Sequence, residues 1–171
     1  MADGNVIVRQ AVKEDCAQIM SLIKELAEYE KMPEAVEMTT ERLEADGFPA
    51  AGSPAFNCHV LDGGGALLGM ALHVFTYSTW QGRSVYLEDL YVTPARRGRG
   101  LGRRLIGGVA QWAVSAGCVR LNFSVLGWNA LAKEFYRHIG AVNLSETEQW
   151  ESYRISGPAL ARLAEAGCGH R

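Results

Sequence analysis

The stretch that most constrains this chain is an apolar run that stops at a turn of alternating arginine and glycine and reopens as an amphipathic helix. Residues 84–92, ending Val85-Tyr86-Leu87-Glu88-Asp89-Leu90-Tyr91-Val92, read as a strand. Arg97-Gly98-Arg99-Gly100-Leu101-Gly102 follows as a tight turn. Residues 102–116 then place Leu105, Ile106, Val109, Trp112, Ala113 and Ala116 on one helical face, with Gly117 at the end. Glycines in such a turn let the backbone bend sharply and approach a ligand closely. The amides that open a helix lack intrahelical partners, and with the positive end of the dipole they favour an anion. Arg96, Arg97, Arg99, Arg103 and Arg104 add charge around it, so a diphosphate is the natural guest. The turn lacks the Gly-Lys-Ser/Thr of a P-loop. Its Gly98-x-Gly100-x-Gly102 spacing also differs from the dinucleotide G-x-G-x-x-G, and it lies mid-chain rather than after a first strand.

The flanking segments predict a mixed sheet with helices on its faces. Residues 6–8 read as a first strand and residues 14–30 as a helix, with Cys16, Ile19, Met20, Ile23, Leu26 and Ala27 at helical spacing. A second helix is expected from Thr40, a plausible cap, to Gly47. Strands over 56–61 and 67–77 flank the turn Asp62-Gly63-Gly64-Gly65. After the central helix come a strand over 120–125, a helix over 130–139 closed by Gly140, a last strand over 149–155, and a terminal helix opened by Pro158. The expected architecture is α/β, a single mixed twisted sheet with helices on both faces, formed by one domain over residues 1–171.

Charge is unevenly spread, although the net formal charge is only −2. Between Glu14 and Asp46 lie ten acidic residues against three basic ones, Lys24, Lys31 and Arg42, whereas residues 96–104 hold five arginines and no acid. One region suits cations and another an anion. The arginine-glycine stretch is short, without interleaved aromatics, and the chain is net acidic, so nucleic acid is not expected as a partner. Cys16, Cys58, Cys118 and Cys168 are far apart with no C-x-x-C, which indicates neither a disulfide framework nor a zinc site. No apolar run reaches membrane-spanning length, and a reducing cytoplasmic setting is the default expectation. His59 and His73 alternate with apolar residues and read as half-buried sheet residues, and no metal is expected. Trp80 and Trp128 are open between core and channel lining.

The pattern R-x-x-G-x-G after that strand resembles the acetyl-CoA motif of the GNAT superfamily. Further segments are similar to the diamine acetyltransferases, a family holding the spermidine/spermine and thialysine enzymes. They are residues 23–31 (Ile-Lys-Glu-Leu-Ala-Glu-Tyr-Glu-Lys), Tyr77-Ser78-Thr79-Trp80, Tyr86-Leu87-Glu88-Asp89, Trp128-Asn129 and Phe135-Tyr136. Glu28-Tyr29-Glu30-Lys31, residues 78–83 and residues 125–129 are more similar to the thialysine branch. The turn over 62–68 is shorter than in the animal diamine enzymes, and Pro94-Ala95-Arg96 departs from their usual wording.

The resemblance implies the GNAT fold, with a bulge in the central strand that precedes the turn, together with an activity and a set of site residues. Acetyl-CoA would be held at its diphosphate by Gly98, Arg99, Gly100, Leu101, Gly102 and Arg103. Its pantetheine arm would lie along the strand edge of Leu90, Tyr91 and Val92, with further contacts from Asn129, Ala130, Leu131 and Ala132. Tyr136 would be the acid that protonates the departing thiolate, a role suited to a phenol with pKa near ~10. Glu88 would bind the amine and take its proton, and Tyr29 and Glu30 would contact the substrate. On residue pattern alone, Tyr136 reads equally as a core aromatic, Asn129 as a helix cap and Glu88 as part of a solvated edge. Two adjacent acids in an apolar strand are nonetheless costly without a partner or a function. Simple alternation puts Tyr86, Glu88 and Leu90 on one face and Leu87, Asp89 and Tyr91 on the other, unless a bulge intervenes. The expected activity is direct transfer of acetyl from acetyl-CoA to a primary amine of a thialysine-like amino acid, diamine or polyamine, by a homodimer. The alternatives are a non-catalytic acyl-CoA-binding module and RNA binding through the arginine-rich turn.

Overall fold

The strand-forming segments pair with one another in the order in which they occur along the chain. The computed structural model describes residues 6–168. β1 (Ile7–Gln10), β2 (Asn57–Asp62), β3 (Leu67–Ser78) and β4 (Gly82–Val92) are antiparallel neighbours, and β5 (Leu121–Phe123) runs parallel to β4. The parallel step follows from the chain's route: β4 leaves the sheet through α3 (Leu101–Ser115) before β5 returns beside it. α1 (Cys16–Tyr29) and α2 (Thr40–Gly47) precede β2, and α4 (Ala130–His138), the short α5 (Leu144–Thr147) and α6 (Gly157–Cys168) follow β5. The chain divides into two compact units, Met1–Leu126 and Gly127–Arg171. The whole five-stranded sheet belongs to the first.

Helices cover both faces of that sheet. Cys16, Ile19 and Leu22 of α1 and Leu43 of α2 pack with Phe56, Cys58, Val60, Leu67, Met70 and Tyr91. On the opposite face α3 crosses β1 to β4 and buries Leu105, Ile106, Val109 and Ala113. His59 and His73, expected to be half-buried, are buried there. His59 Nδ1 and His73 Nε2 lie 3.0 Å apart, so one ring donates and the other accepts. The His73 ring also packs on Trp112 at 4.6 Å. Burial lowers the pKa of His73 to about 4, with the His59 neighbour adding to the effect, so the ring is neutral at ordinary pH.

β4 carries one residue more than its partner. Leu72 opposes Asp89 and His73 opposes Leu87, so Glu88 stands opposite nothing. Such a bulge reverses the side-chain alternation beyond it. Val85 and Leu87, opposite Phe75 and His73, lie on the α3 face. Asp89 and Tyr91, opposite Leu72 and Met70, lie on the α1 face. The bulge that the resemblance implies is thus present in β4, and it replaces the simple alternation that groups Leu87 with Asp89 and Tyr91. The last expected strand, residues 149–155, is also absent. Residues 151–156 have no regular secondary structure and pair with no strand among the described residues, and alternation without a neighbouring edge does not make a strand. The terminal helix forms as expected, one residue before Pro158.

A charged node fixes where α1 starts. The Arg9 guanidinium donates to both carboxylate oxygens of Asp15, at 2.6 and 2.9 Å, and to Asp62 at 2.8 Å. Asp15 also accepts from the Val12 amide at 2.8 Å. Arg9 thereby ties β1 to the end of β2 and to the residue before α1, and its hydrogen bonds lower the pKa of buried Asp15. Asp15→Asn removes the charge and leaves Arg9 one carboxylate. A loss of roughly 2–3 kcal/mol in urea unfolding at pH 7 is expected for breaking a largely buried pair. The folded-state pKa is depressed, so this contribution is present above the unfolded value and is lost as pH falls. The difference from wild type should therefore shrink in acid; a difference within roughly 0.5 kcal/mol at pH 7, typical of a surface site, would contradict the assignment.

Candidate active site

The turn after β4 is built from backbone rather than side chains. A short 3-10 turn, Pro94–Arg96, ends at extended Arg97, and Gly98 and Gly100 then take φ of 74° and 76°. That left-handed region is costly for residues with a Cβ, which explains the glycines. No protein atom lies within 4 Å of where a Cβ would stand on either, so the space beside them is open. The first helical bond of α3 runs from the Arg104 amide to the Gly100 carbonyl at 3.1 Å. The amides of Leu101, Gly102 and Arg103 consequently stand outside the helical ladder at the positive end of the dipole. This donor set and the open space fit a diphosphate.

Two of the five arginines expected around the anion are engaged elsewhere. Arg104 donates to the Val6 carbonyl at 2.5 Å and secures β1 to α3. Arg97 donates to the Val92 carbonyl at 2.8 Å and stacks on two tyrosine rings. Arg99 and Arg103 are exposed at the turn.

The strand entering the turn offers a second set of backbone groups. β4 pairs with β5 only from Val85 to Leu87, opposite Leu121 to Phe123. Beyond Leu87 it keeps β3 on one side and, among the described residues, has no strand on the other. Leu90, Tyr91 and Val92 therefore present an edge to which an extended ligand can pair as a strand would. The Tyr91 side chain is not part of that edge: it is buried in the α1 face, and its hydroxyl donates to Glu25 Oε2 at 3.1 Å.

Three carboxylates gather where the bulge faces α1. Glu88 is exposed at the bulge itself. Asp89 is turned towards α1, and its pKa is pushed up to about 6 by burial first, then by the charges of Glu88 and Glu30. Glu30 closes α1, and burial raises its pKa as well. Tyr29, the last residue of α1, is half-buried beside Arg97. The family resemblance singled out Glu88, Glu30 and Tyr29 but gave Asp89 no role. The signal for it was the pair of adjacent acids, and the bulge is what turns the second one inwards. Asp89 and Glu30 are held in surroundings that oppose their ionisation, and a cation placed beside them would relieve that cost.

The remaining expected residues lie in the second unit. Asn129 caps α4, its Oδ1 accepting from the Ala132 amide at 3.1 Å. Ala130, Leu131 and Ala132 form the first helical turn, with Leu131 exposed. Tyr136 sits one turn further on, half-buried and edge-on to Phe135 at 5.1 Å. Trp80 is exposed at the tip between β3 and β4, and Trp128 is exposed just before α4.

Comparison with known proteins is consistent with this geometry. Residues 17–141 match the acetyltransferase (GNAT) family. The thialysine N-epsilon-acetyltransferase of Sus scrofa is 42% identical over 169 residues, covering 94% of this chain and 98% of that protein. The human spermidine/spermine N(1)-acetyltransferase-like protein 1 is 36% identical over 164 residues, covering 92% of this chain but 23% of that longer protein. Among solved structures, the integron cassette protein VCH_CASS6 from the mobile metagenome of V. cholerae superposes with a TM-score of 0.75 at 25% identity, over 94% of this chain and 98% of its own. This chain belongs to the GNAT acetyltransferase family, as an N-acetyltransferase that moves acetyl onto an amine of a cationic substrate.

Proposed function

We propose that the acetyl group passes directly from acetyl-CoA to the primary amine of a thialysine-like amino acid or a short diamine or polyamine, with thialysine preferred. The observation that carries this reading is the juxtaposition, on successive stretches of one strand and turn, of an acidic cluster at the bulge and an amide-lined anion cradle. One suits a cationic amine and the other a diphosphate. The similarity to thialysine acetyltransferases over nearly the whole chain supports the preference. The family match spans the boundary between the two units, which supports their serving as one acetyltransferase domain.

In the proposed reaction acetyl-CoA supplies an activated acetyl group. The amides of Gly98 to Arg103 hold its diphosphate, the edge of Leu90 to Val92 aligns its arm, and the first turn of α4 adds contacts. Glu30, Asp89 and Tyr29 bind the substrate as a cation, since a lysine-like amine has a pKa near ~10.4. Glu88 accepts the proton that the amine must lose before its nitrogen forms the new C–N bond. The Tyr136 hydroxyl gives a proton to the sulfur as the C–S bond breaks. No acyl-enzyme is needed, so orientation and polarisation supply most of the rate. A homodimer is the assembly that the family resemblance supports, and the scattered cysteines without a C-x-x-C support a reducing, cytoplasmic setting. No helix among the described residues is long and apolar enough to cross a membrane.

Thiol release from acetyl-CoA with a panel of thialysine, spermidine, putrescine and lysine should be highest, as kcat/KM, with thialysine. No release with any amine would refute the reading. Glu88→Gln and Tyr136→Phe should each lower kcat by about 100-fold while leaving CoA affinity unchanged, as expected for lost proton transfer; a kcat within about twofold of wild type would remove that residue from the proposed chemistry.

Asp89→Asn separates binding from stability. The folded-state pKa of about 6 lies above the ordinary value of 3.8, so the native protein loses stability as Asp89 ionises. The variant should raise KM for the amine about tenfold and yet unfold roughly 1–3 kcal/mol later at pH 8. That gain should fade as pH falls through 6 and be gone near pH 4, where wild-type Asp89 is neutral too. An equally stable or less stable variant at pH 8 would contradict the electrostatic account.

A further inference from the structure

Arg97 is the residue at which the anion cradle and the end of α1 meet. Its backbone runs directly into Gly98, yet its side chain turns away from the cradle. Nε donates to the Val92 carbonyl at 2.8 Å, while the guanidinium carbon lies 4.8 Å from the centre of the Tyr29 ring and 5.3 Å from that of Tyr91. Tyr91 is in turn hydrogen-bonded to Glu25. Glu25 and Tyr29 are four residues apart, one above the other on the last turns of α1. One planar cation therefore links the end of β4, the start of the cradle and the final turn of α1, whose last residues are Tyr29 and its cap Glu30. Arginine suits this position where lysine does not, because its flat guanidinium stacks on rings while its edge donates to a carbonyl.

We propose that Arg97 is a positioning residue that makes binding of the two substrates cooperative: it joins the first residue of the cradle to Tyr29, so CoA and the amine each favour the same placement of Arg97 and with it the other's site. The link is reciprocal, so a bound amine raises affinity for CoA by the same factor. The proposal rests on the acetyl-CoA and amine reading above. It assigns Arg97 a task distinct from holding phosphate, since its guanidinium is committed to the carbonyl and the rings.

The test is the affinity for CoA by calorimetry, without and with saturating thialysine, and again with spermidine. CoA carries no acetyl group, so no turnover occurs. Wild type should bind CoA about fivefold more tightly in the presence of the amine, a typical coupling. Arg97→Lys and Tyr29→Leu should each reduce that ratio to about one, and the double variant should reduce it no further. Tyr29→Phe keeps the ring and should keep the fivefold ratio, which a merely structural loss in Tyr29→Leu would not explain. A wild-type ratio of one with both amines, or a full ratio retained in Arg97→Lys or Tyr29→Leu, would overturn the coupling while leaving the acetyltransferase reading intact. Failure of wild type to bind CoA at all would instead overturn that reading, and the coupling with it.

Discussion

A single extra residue in β4, Glu88, organises the rest of the site. From Val85 to Leu87 the strand is an interior member of the sheet, paired on both sides, with Val85 and Leu87 buried on the α3 face. From Glu88 onward the alternation is reversed and the pairing with β5 ends. The same irregularity thus exposes one carboxylate, turns a second towards α1, sends the Tyr91 ring into the α1 core, and leaves a stretch of strand edge leading into the glycine turn. Bulges are suited to this because they re-aim side chains and end pairing without breaking the strand.

Around that point opposite charges are kept apart by different means. The cationic character of the turn comes from the helix amides, the α3 dipole and the exposed Arg99 and Arg103, while Arg97 and Arg104, which add charge nearby, are held by backbone carbonyls. The anionic side holds carboxylates in surroundings that penalise their ionisation, as the raised values of Asp89 and Glu30 indicate. Storing unfavourable ionisation in this way costs stability in the empty protein and is relieved by a cationic ligand. The Arg9–Asp15–Asp62 node at the other end of α1 offsets part of that cost and fixes where the helix begins.

The fold was legible in the sequence wherever the signal was local. Glycine spacing located the cradle because glycine takes the positive φ values found at positions 98 and 100 without the steric cost that a Cβ brings. Helical periodicity located α1 and α3, and the Asp62 to Gly65 turn located the β2–β3 hairpin. What depended on distant pairing was not legible. The resemblance implied a bulge in the central strand, but its position at Glu88 is set only by the register between β3 and β4, so the face of Asp89 and its part in the acidic cluster were missed. Residues 149–155 carry strand-like alternation, but a strand needs a neighbour. The burial of His59 and His73 depends on α3 crossing above them. The sequence suggested that Arg97 serves the anion; its engagement with Tyr29 and Tyr91 follows from the packing of α1 against the end of β4.

The account depends on backbone amides beyond β4 holding the diphosphate of the acetyl donor. Amide chemical-shift perturbation on addition of CoA measures this directly. The largest changes should fall on Gly98, Arg99, Gly100, Leu101, Gly102 and Arg103, with smaller ones along Leu90 to Val92. Saturable CoA binding that leaves the amides of residues 98–103 unmoved would contradict it.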